Sequence, residues 1–345
     1  MTTWTGQGVE VHVQEVALRD GLQSQATLVP TEKKIELIDR LSASGLRKIE
    51  VSSFVSPRAI PQLADAEAVF HGITRRPGVI YAALAPNVRG MERAISARAD
   101  EVNLVMSASE SHNRANLRSS SEASFHAIKE AAALAATAGM RIAASLSCSF
   151  GCPLEGEIQA TAILRWCQRL HEEAGIHSIS LCDTTGMAYP ALVQHLVGLV
   201  RKSCPAVSIA LHFHNTRGLG VANVFAGLEA GVIHFDAALA GIGGCPYAPG
   251  ATGNICTEDL IHALELSDYR CGVDLDVLIE AARHLEHLLG QPTPGQVMKA
   301  GRRLQGHPAD KHDAREPESL SGRSSTAPTD GPVQGFATST RTPRV

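Results

Sequence analysis

The sequence predicts a (β/α)8 TIM barrel of the α/β class, extended by one C-terminal helical segment and a disordered tail. Three observations point there. Short β-rich runs alternate with longer amphipathic stretches eight times, at 11–18, 48–54, 79–85, 101–107, 141–147, 178–183, 207–213 and 234–241. The eight rounds occupy roughly 260 residues, the length of a closed barrel. The stretch after the first run, Arg19-Asp20-Gly21-Leu22-Gln23, lacks the glycine-rich phosphate turn of a doubly wound sheet.

Each β-rich run is followed by apolar residues at helical spacing, as at 33–45 and 124–139. Gly45, Gly139, Gly175 and Gly231 stand where helices should stop before the next strand. Such alternation requires a parallel sheet. Beyond about residue 270 the rhythm changes, and 273–289 reads as one more amphipathic helix packed beside the barrel mouth. The barrel domain is expected to span 1–305. The segment 306–345 is rich in Ser, Thr, Pro and charge without periodicity, and is expected to be a disordered tail.

The 345 residues are 44% hydrophobic and 19% charged, which suits one large core. A net charge of −4 gives no basic field to gather nucleic acid or an anionic membrane. No apolar run approaches the roughly 18–20 residues of a spanning helix. The first ten residues show neither a basic nor an apolar signal region. The eight cysteines, spread over a long chain, read as reduced thiols. The expectation is a cytoplasmic protein with a small-molecule partner, and neither nucleic acid nor membrane.

Barrel enzymes take their reactive groups from the C-terminal ends of strands. Here those positions offer Arg19 and Asp20 after strand one, Glu50 in strand two, Asp183 ending strand six, His212 and His214 ending strand seven, and Asn254 after strand eight. Residues i and i+2 of a strand share a face, so His212 and His214 present two imidazoles to one point. Such a pair can equally be packed histidines, but Asp20 and Asn254 at the same barrel end favour ligands. Two nitrogens and two oxygens with open positions suit Mg2+, Mn2+ or Co2+ better than a closed zinc site. Arg19 is costly to desolvate without an anion. Glu50 can be a structural ion-pair partner, an orienting group, or both.

The loop 241–254 holds five glycines and two prolines in fourteen residues and cannot be regular structure. Cys245 inside it, between Gly244 and Pro246, has no obvious burial and reads as an exposed acid/base or gating thiol. Cys148 and Cys152 have no matching pair elsewhere and are not read as a metal cluster.

The stretches ALRDGLQ (17–23), EVSSFVSP (50–57), SLSCSFGCPLEG (145–156), SLCDTTG (180–186), HFHNTRG (212–218) and AGIGGCPYAPGATGN (240–254) resemble the 3-hydroxy-3-methylglutaryl-CoA lyase family, in order, from about Val11 to Gly301. The resemblance implies Mg2+ or Mn2+ held by Asp20, His212, His214 and Asn254. It implies a catalytic Arg19 supported by Glu50 and Asp183, and proton transfer by Cys245. Either Asp183 or His212 is the base. Gln23, Asn215 and Arg217 are assigned to substrate binding, the substrate is an acyl-CoA, and a homodimer is expected.

One departure stands out. These lyases follow the second histidine with Asp-Thr-Tyr-Gly-Gln, whereas this chain has Asn215-Thr216-Arg217-Gly218-Leu219. A neutral amide replaces an acid and a cation replaces a phenol. Citramalyl-CoA or a longer 3-alkyl analogue is therefore a second substrate reading. A condensing acyltransferase of the isopropylmalate or homocitrate synthase type is a third, and an idle CoA-binding scaffold a fourth.

Overall fold

Eight strands, β1 (His12–Glu15), β2 (Lys48–Ser53), β3 (Ile80–Ala85), β4 (Glu101–Ser107), β5 (Arg141–Ser147), β6 (Ser178–Asp183), β7 (Ser208–Phe213) and β8 (His234–Ala237), pair in chain order. All pairs are parallel, and β1 closes on β8 through the register His12 to His234. This is the expected barrel. It is a computed structural model, which describes residues 5–244 and 253–306. The chain up to Arg303 forms one compact unit, and the tail expected over 306–345 lies outside the described residues but for Gly306.

Strand alternation divides the side chains between two environments. Ile49 and Val51, Val102 and Leu104, Ile179 and Leu181, and Leu211 and Phe213 point outward into the apolar layer beneath the helices. The residues between them, Glu50, Asn103, Ser180 and His212, face the barrel interior and are also buried. The helices follow the expected rhythm, and Gly45, Gly139, Gly175 and Gly231 all adopt the left-handed backbone that ends a helix. The C-terminal helix Leu275–Leu289 is capped by the Asp274 side chain and packs on Thr31–Ala43 and on the turn Leu239–Gly241 at the end of β8. Among the described residues no helix is long and apolar enough to cross a membrane, and seven cysteines are free.

Two strands are shorter than their apolar runs. β1 stops at Glu15 rather than at residue 18, and β8 stops at Ala237 rather than at residue 241. An apolar run cannot by itself tell a strand from a buried turn. Here a carboxylate decides. Glu15 Oε1 accepts the backbone N–H of Ala17 and of Leu239, and its Oε2 accepts the Thr257 hydroxyl. The backbone donors a strand would have paired are thus taken by one side chain, and both chains turn. Glu258 adds a second such bond, to the Ala240 N–H, where Ala240 is held at φ 59.

Burial pushes both carboxyls up to about 7 against their hydrogen bonds. The folded chain therefore holds more protons than the unfolded chain between about pH 4.5 and 7. This contribution to stability is fully present below the unfolded value and is lost as pH rises through the folded one. It is on the order of 3 kcal/mol per group. A glutamine at position 15 can keep the carbonyl for both N–H groups and turn its amide to the Thr257 oxygen. In urea unfolding from about pH 5 to 7.5, Glu15→Gln should lose stability less steeply than the parent; an unchanged slope removes Glu15 as a source of the pH dependence.

Candidate active site

Arg19 and Asp20 lie on a single widened helical turn, Ala17–Gly21, in which the N–H of Gly21 reaches back five residues to the Val16 carbonyl. Such a turn inside a chain is often a device for aiming side chains. Gly21 is required by contact: a Cβ there would lie 2.6 Å from Ile242 Cγ1, the residue that opens the glycine loop. The first and last loops of the barrel therefore touch at Gly21.

His212 ends the inward face of β7, and His214 continues it one residue past the strand. The segment after the glycine loop returns alongside, with Asn254 bridged to His214 and the Ile255 N–H donating to the Phe213 carbonyl. Asp20 Oδ2 lies 3.9 Å from His212 Nε2 and 3.8 Å from His214 Nε2. One ligand atom from each of the three falls within 4.8 Å of the others. Asn254 donates its amide N–H to Asp20 Oδ2 at 2.9 Å and to the Ile242 carbonyl at 3.1 Å. Its Oδ1 is buried without a partner. The four expected ligands thus converge.

Asp236 on β8, which the sequence reading missed, sits 3.2 Å from His212 Nδ1. A carboxylate there takes the Nδ1–H and leaves Nε2 as the donor atom that faces Asp20, the arrangement that orients metal-bound imidazoles. Its signal in the sequence was an acid inside an apolar strand run; the pairing with His212 comes from the β7–β8 register.

Arg19 is 8% exposed. Its Nε donates to Glu50 Oε2 at 2.5 Å and its Nη1 to Asp20 Oδ1 at 2.5 Å. Nη2 has no partner among the described residues. Burial alone would lower the guanidinium's proton affinity, but Glu50, Asp20 and Asp236 outweigh it and raise it. Burial likewise opposes the charge of Asp20, yet Arg19 and the two imidazoles hold its carboxyl well below the usual range. Glu50, Asp20 and Asp236 thus outnumber the one guanidinium in a dry site, an excess of anionic groups. A divalent cation would offset this excess; Asn254 turns its NH2 toward Asp20 Oδ2 here, and its unpartnered Oδ1 would become the fourth donor with the amide turned over. The donor set therefore fits a hard divalent cation.

Asp183 closes β6. Its Oδ1 accepts the N–H groups of Met187 and Ala188, while Oδ2 is buried with no partner. Burial pushes this carboxyl up to about 6 against those two bonds, with the charges of His212 and Arg217 also pulling it down.

The rim residues are placed differently. Arg217 donates Nη1 to the carbonyls of Thr185 and Gly186, at 3.2 and 2.6 Å, which ties the loop after β7 to the loop after β6. Asn215 spends its Oδ1 on the Gly220 N–H at a helix start, so only its amide NH2 remains for the cavity of ≈ 250 Å3 that it lines with Asn254. Gln23 is half-buried just past the Arg19 turn. Cys245 lies outside the described residues. A second donor group, Cys256, Glu258 and Asp259, is engaged in the fold: Asp259 accepts the N–H groups of Gln296 and Val297, and Glu258 that of Ala240.

Comparison with known proteins gives consistent results. A hydroxymethylglutaryl-CoA lyase of Bacillus subtilis is 44% identical over 290 residues, 84% of this chain and 97% of that protein. A 3-hydroxy-3-isohexenylglutaryl-CoA/hydroxymethylglutaryl-CoA lyase of Pseudomonas aeruginosa is 38% identical over 291 residues, 84% of this chain and 97% of that protein. The structure of an HMG-CoA lyase from Acinetobacter baumannii, in complex with coenzyme A and 3-methylmalate, superposes with a TM-score of 0.83 at 48% identity. It covers 87% of this chain and 98% of its own. The family model described as HMGL-like matches residues 10–285. With the family's metal-type donors gathered at one end of the barrel, the chain belongs to the HMGL-like family.

Proposed function

We propose that this protein cleaves 3-hydroxy-3-methylglutaryl-CoA to acetyl-CoA and acetoacetate, a divalent-metal-dependent retro-Claisen reaction. The observation that carries the reading is the meeting of Asp20, His212, His214 and Asn254 beside Arg19, in a chain 44% identical to a hydroxymethylglutaryl-CoA lyase. Asp20, the two Nε2 atoms and Asn254 Oδ1 would hold Mg2+ or Mn2+. Bound there, the cation supplies Lewis acidity that makes the substrate's tertiary hydroxyl easier to deprotonate.

The chain's own groups divide the remaining work. His212 is committed at both nitrogens, to Asp236 and to the ligand point, so it has no lone pair left for a proton. Asp183 Oδ2 is free and buried, and it takes the hydroxyl proton. The electrons of that O–H bond form the ketone as the C2–C3 bond breaks, and the pair from C2–C3 passes into the thioester as an enolate. Arg19 Nη2 is the donor aimed at that enolate oxygen, already oriented by Glu50 and Asp20. Cys245, by its place in the glycine loop, is assigned the proton delivered to the enolate carbon.

A second reading concerns the acyl end. The Acinetobacter relative holds the short diacid 3-methylmalate together with coenzyme A. In this chain the guanidinium of Arg217, fixed by two carbonyls through Nη1, keeps its other nitrogens for a carboxylate. A shorter diacid thioester of the citramalyl-CoA kind is the alternative substrate.

Incubated with 3-hydroxy-3-methylglutaryl-CoA, the protein should release acetyl-CoA and acetoacetate in equal amounts. A chelator should stop this, and added Mn2+ or Mg2+ should restore it. No cleavage of this thioester, with free CoA released instead from acetyl-CoA and a 2-oxo acid, would overturn the lyase reading in favour of a condensing enzyme, and turnover indifferent to chelation would remove the ligand set. Arg19→Gln should lower kcat by about 10²–10³ or more; full turnover in that variant rules out the enolate role. Against a panel of short and long 3-hydroxy diacid CoA esters, Arg217→Tyr should shift the preference among acyl groups, and an unchanged preference excludes Arg217 from acyl recognition.

A further inference from the structure

The interior of the barrel carries a line of hydrogen bonds that the reaction scheme does not use. Glu50 Oε2 holds Arg19 Nε, and its second oxygen, Oε1, accepts from Asn103 Nδ2 at 3.2 Å. Asn103 Oδ1 in turn accepts the Ser145 hydroxyl at 3.0 Å. The three residues come from β2, β4 and β5, all facing inward. On the strand between them Ala82 pairs with Glu50 and Leu84 with Asn103, and the small Ala82 leaves the carboxylate room to reach across β3 to the amide.

The direction of the amide matters. Its NH2 must face Glu50, since a flipped amide would set its carbonyl against a carboxylate. The Ser145 hydroxyl, donating to Oδ1, fixes that direction. Glu50 is fully buried, so each of its oxygens needs a donor. With Oε1 held by Asn103, rotation about the last carboxylate bond is stopped, and Oε2 stays in the plane where Arg19 Nε meets it. Arg19 is then fixed at Nε and Nη1, and Nη2 is the nitrogen left over.

We propose that Asn103 is a positioning residue for the reaction. Acting through Glu50, it sets the plane of the Arg19 guanidinium and so aims Nη2 at the reacting oxygen. The proposal rests on the lyase reading for its substrate but not for its geometry. A misaimed donor costs rate far more than binding, because the enolate charge is absent from the ground state.

The test compares Asn103→Leu, Asn103→Asp, Glu50→Ala and the double variant Glu50→Ala/Asn103→Leu, each loaded with Mn2+. Asn103→Leu should lower kcat roughly ten- to a hundredfold with KM within about twofold. In the Glu50→Ala background the same change should cost nothing further, since the route from Asn103 to Arg19 runs through Glu50. Asn103→Asp, nearly isosteric, places a second carboxylate against Glu50. Its activity relative to the parent should rise as pH falls, when one proton can be shared between the two. A normal kcat in Asn103→Leu, or a loss that persists in full without Glu50, overturns the proposal. Should Asn103→Leu not fold, Asn103→Asp decides alone: a flat ratio with pH refutes the role.

A second measurement separates this proposal from the lyase reading. In protein labelled with 15N-arginine, the Nε–H of Arg19, identified by its loss in Arg19→Gln, should resonate downfield and exchange slowly because of the bond to Glu50. Asn103→Leu should move that signal and speed its exchange, whatever thioester the parent cleaves. An unmoved signal refutes the positioning role. A moved signal in a parent that cleaves no hydroxyacyl-CoA leaves the geometry standing and the substrate wrong.

Discussion

A guanidinium cannot be carried out of water into a barrel unless anions come with it, and the interior of this barrel is arranged around that requirement. Arg19 lies almost wholly buried, with Glu50 on one edge, Asp20 on another, and Asp236 near enough to add its charge. The carboxylates outnumber the guanidinium. That surplus is what suits Asp20 and the neighbouring histidines to a cation. One desolvated arginine therefore accounts for the carboxylates, and the carboxylates account for the metal-type geometry beside them.

The same requirement explains the two faces of the strands. The interior of a closed eight-stranded barrel is usually filled by branched apolar side chains. Here β2, β4, β5, β7 and β8 turn Glu50, Asn103, Ser145, His212 and Asp236 inward, while their alternate residues join the apolar layer under the helices. The apolar layer outside the sheet holds the fold, and the polar interior is free to carry charge. Small residues such as Ala82 give the long polar side chains room to reach one another.

How much of this the sequence disclosed depends on the range of each interaction. Strand alternation and the eightfold rhythm are local, and they located the barrel, the inward pair His212 and His214, and the expected helix caps. The Arg19 to Glu50 pair was legible because β1 and β2 are neighbours in any such barrel. The ends of β1 and β8 were not, because Glu15 decides them by bonding Ala17 and Leu239, residues far apart in the chain. Asp236 escaped notice for a related reason: its partner is set by the register of β7 against β8, which residue order does not print. Asn215 stands beside the expected ligands and was assigned to substrate; its carbonyl is taken by the start of the helix Gly220–Glu229, and its amide NH2 is left for the cavity.

The division between strands and loops also bears on what can vary. Of the groups assigned to bond cleavage, Asp20, Arg19, Glu50 and His212 are fixed by strand ends and by one another, so changing one disturbs several, while Asp183 at the end of β6 is held by the N–H groups of Met187 and Ala188. Arg217 and Asn215 are held by main-chain groups of loops: the carbonyls of Thr185 and Gly186 in one case, the Gly220 N–H in the other. Main-chain anchors do not depend on side-chain identity at the partner position, and an exposed guanidinium brings no desolvation demand into the interior. The amide of Asn215 and the cation of Arg217 therefore stand on the rim without entering the charge balance around Arg19. On the proposed reading, acyl preference is set on the rim while the groups around Arg19 are bound by their own electrostatics.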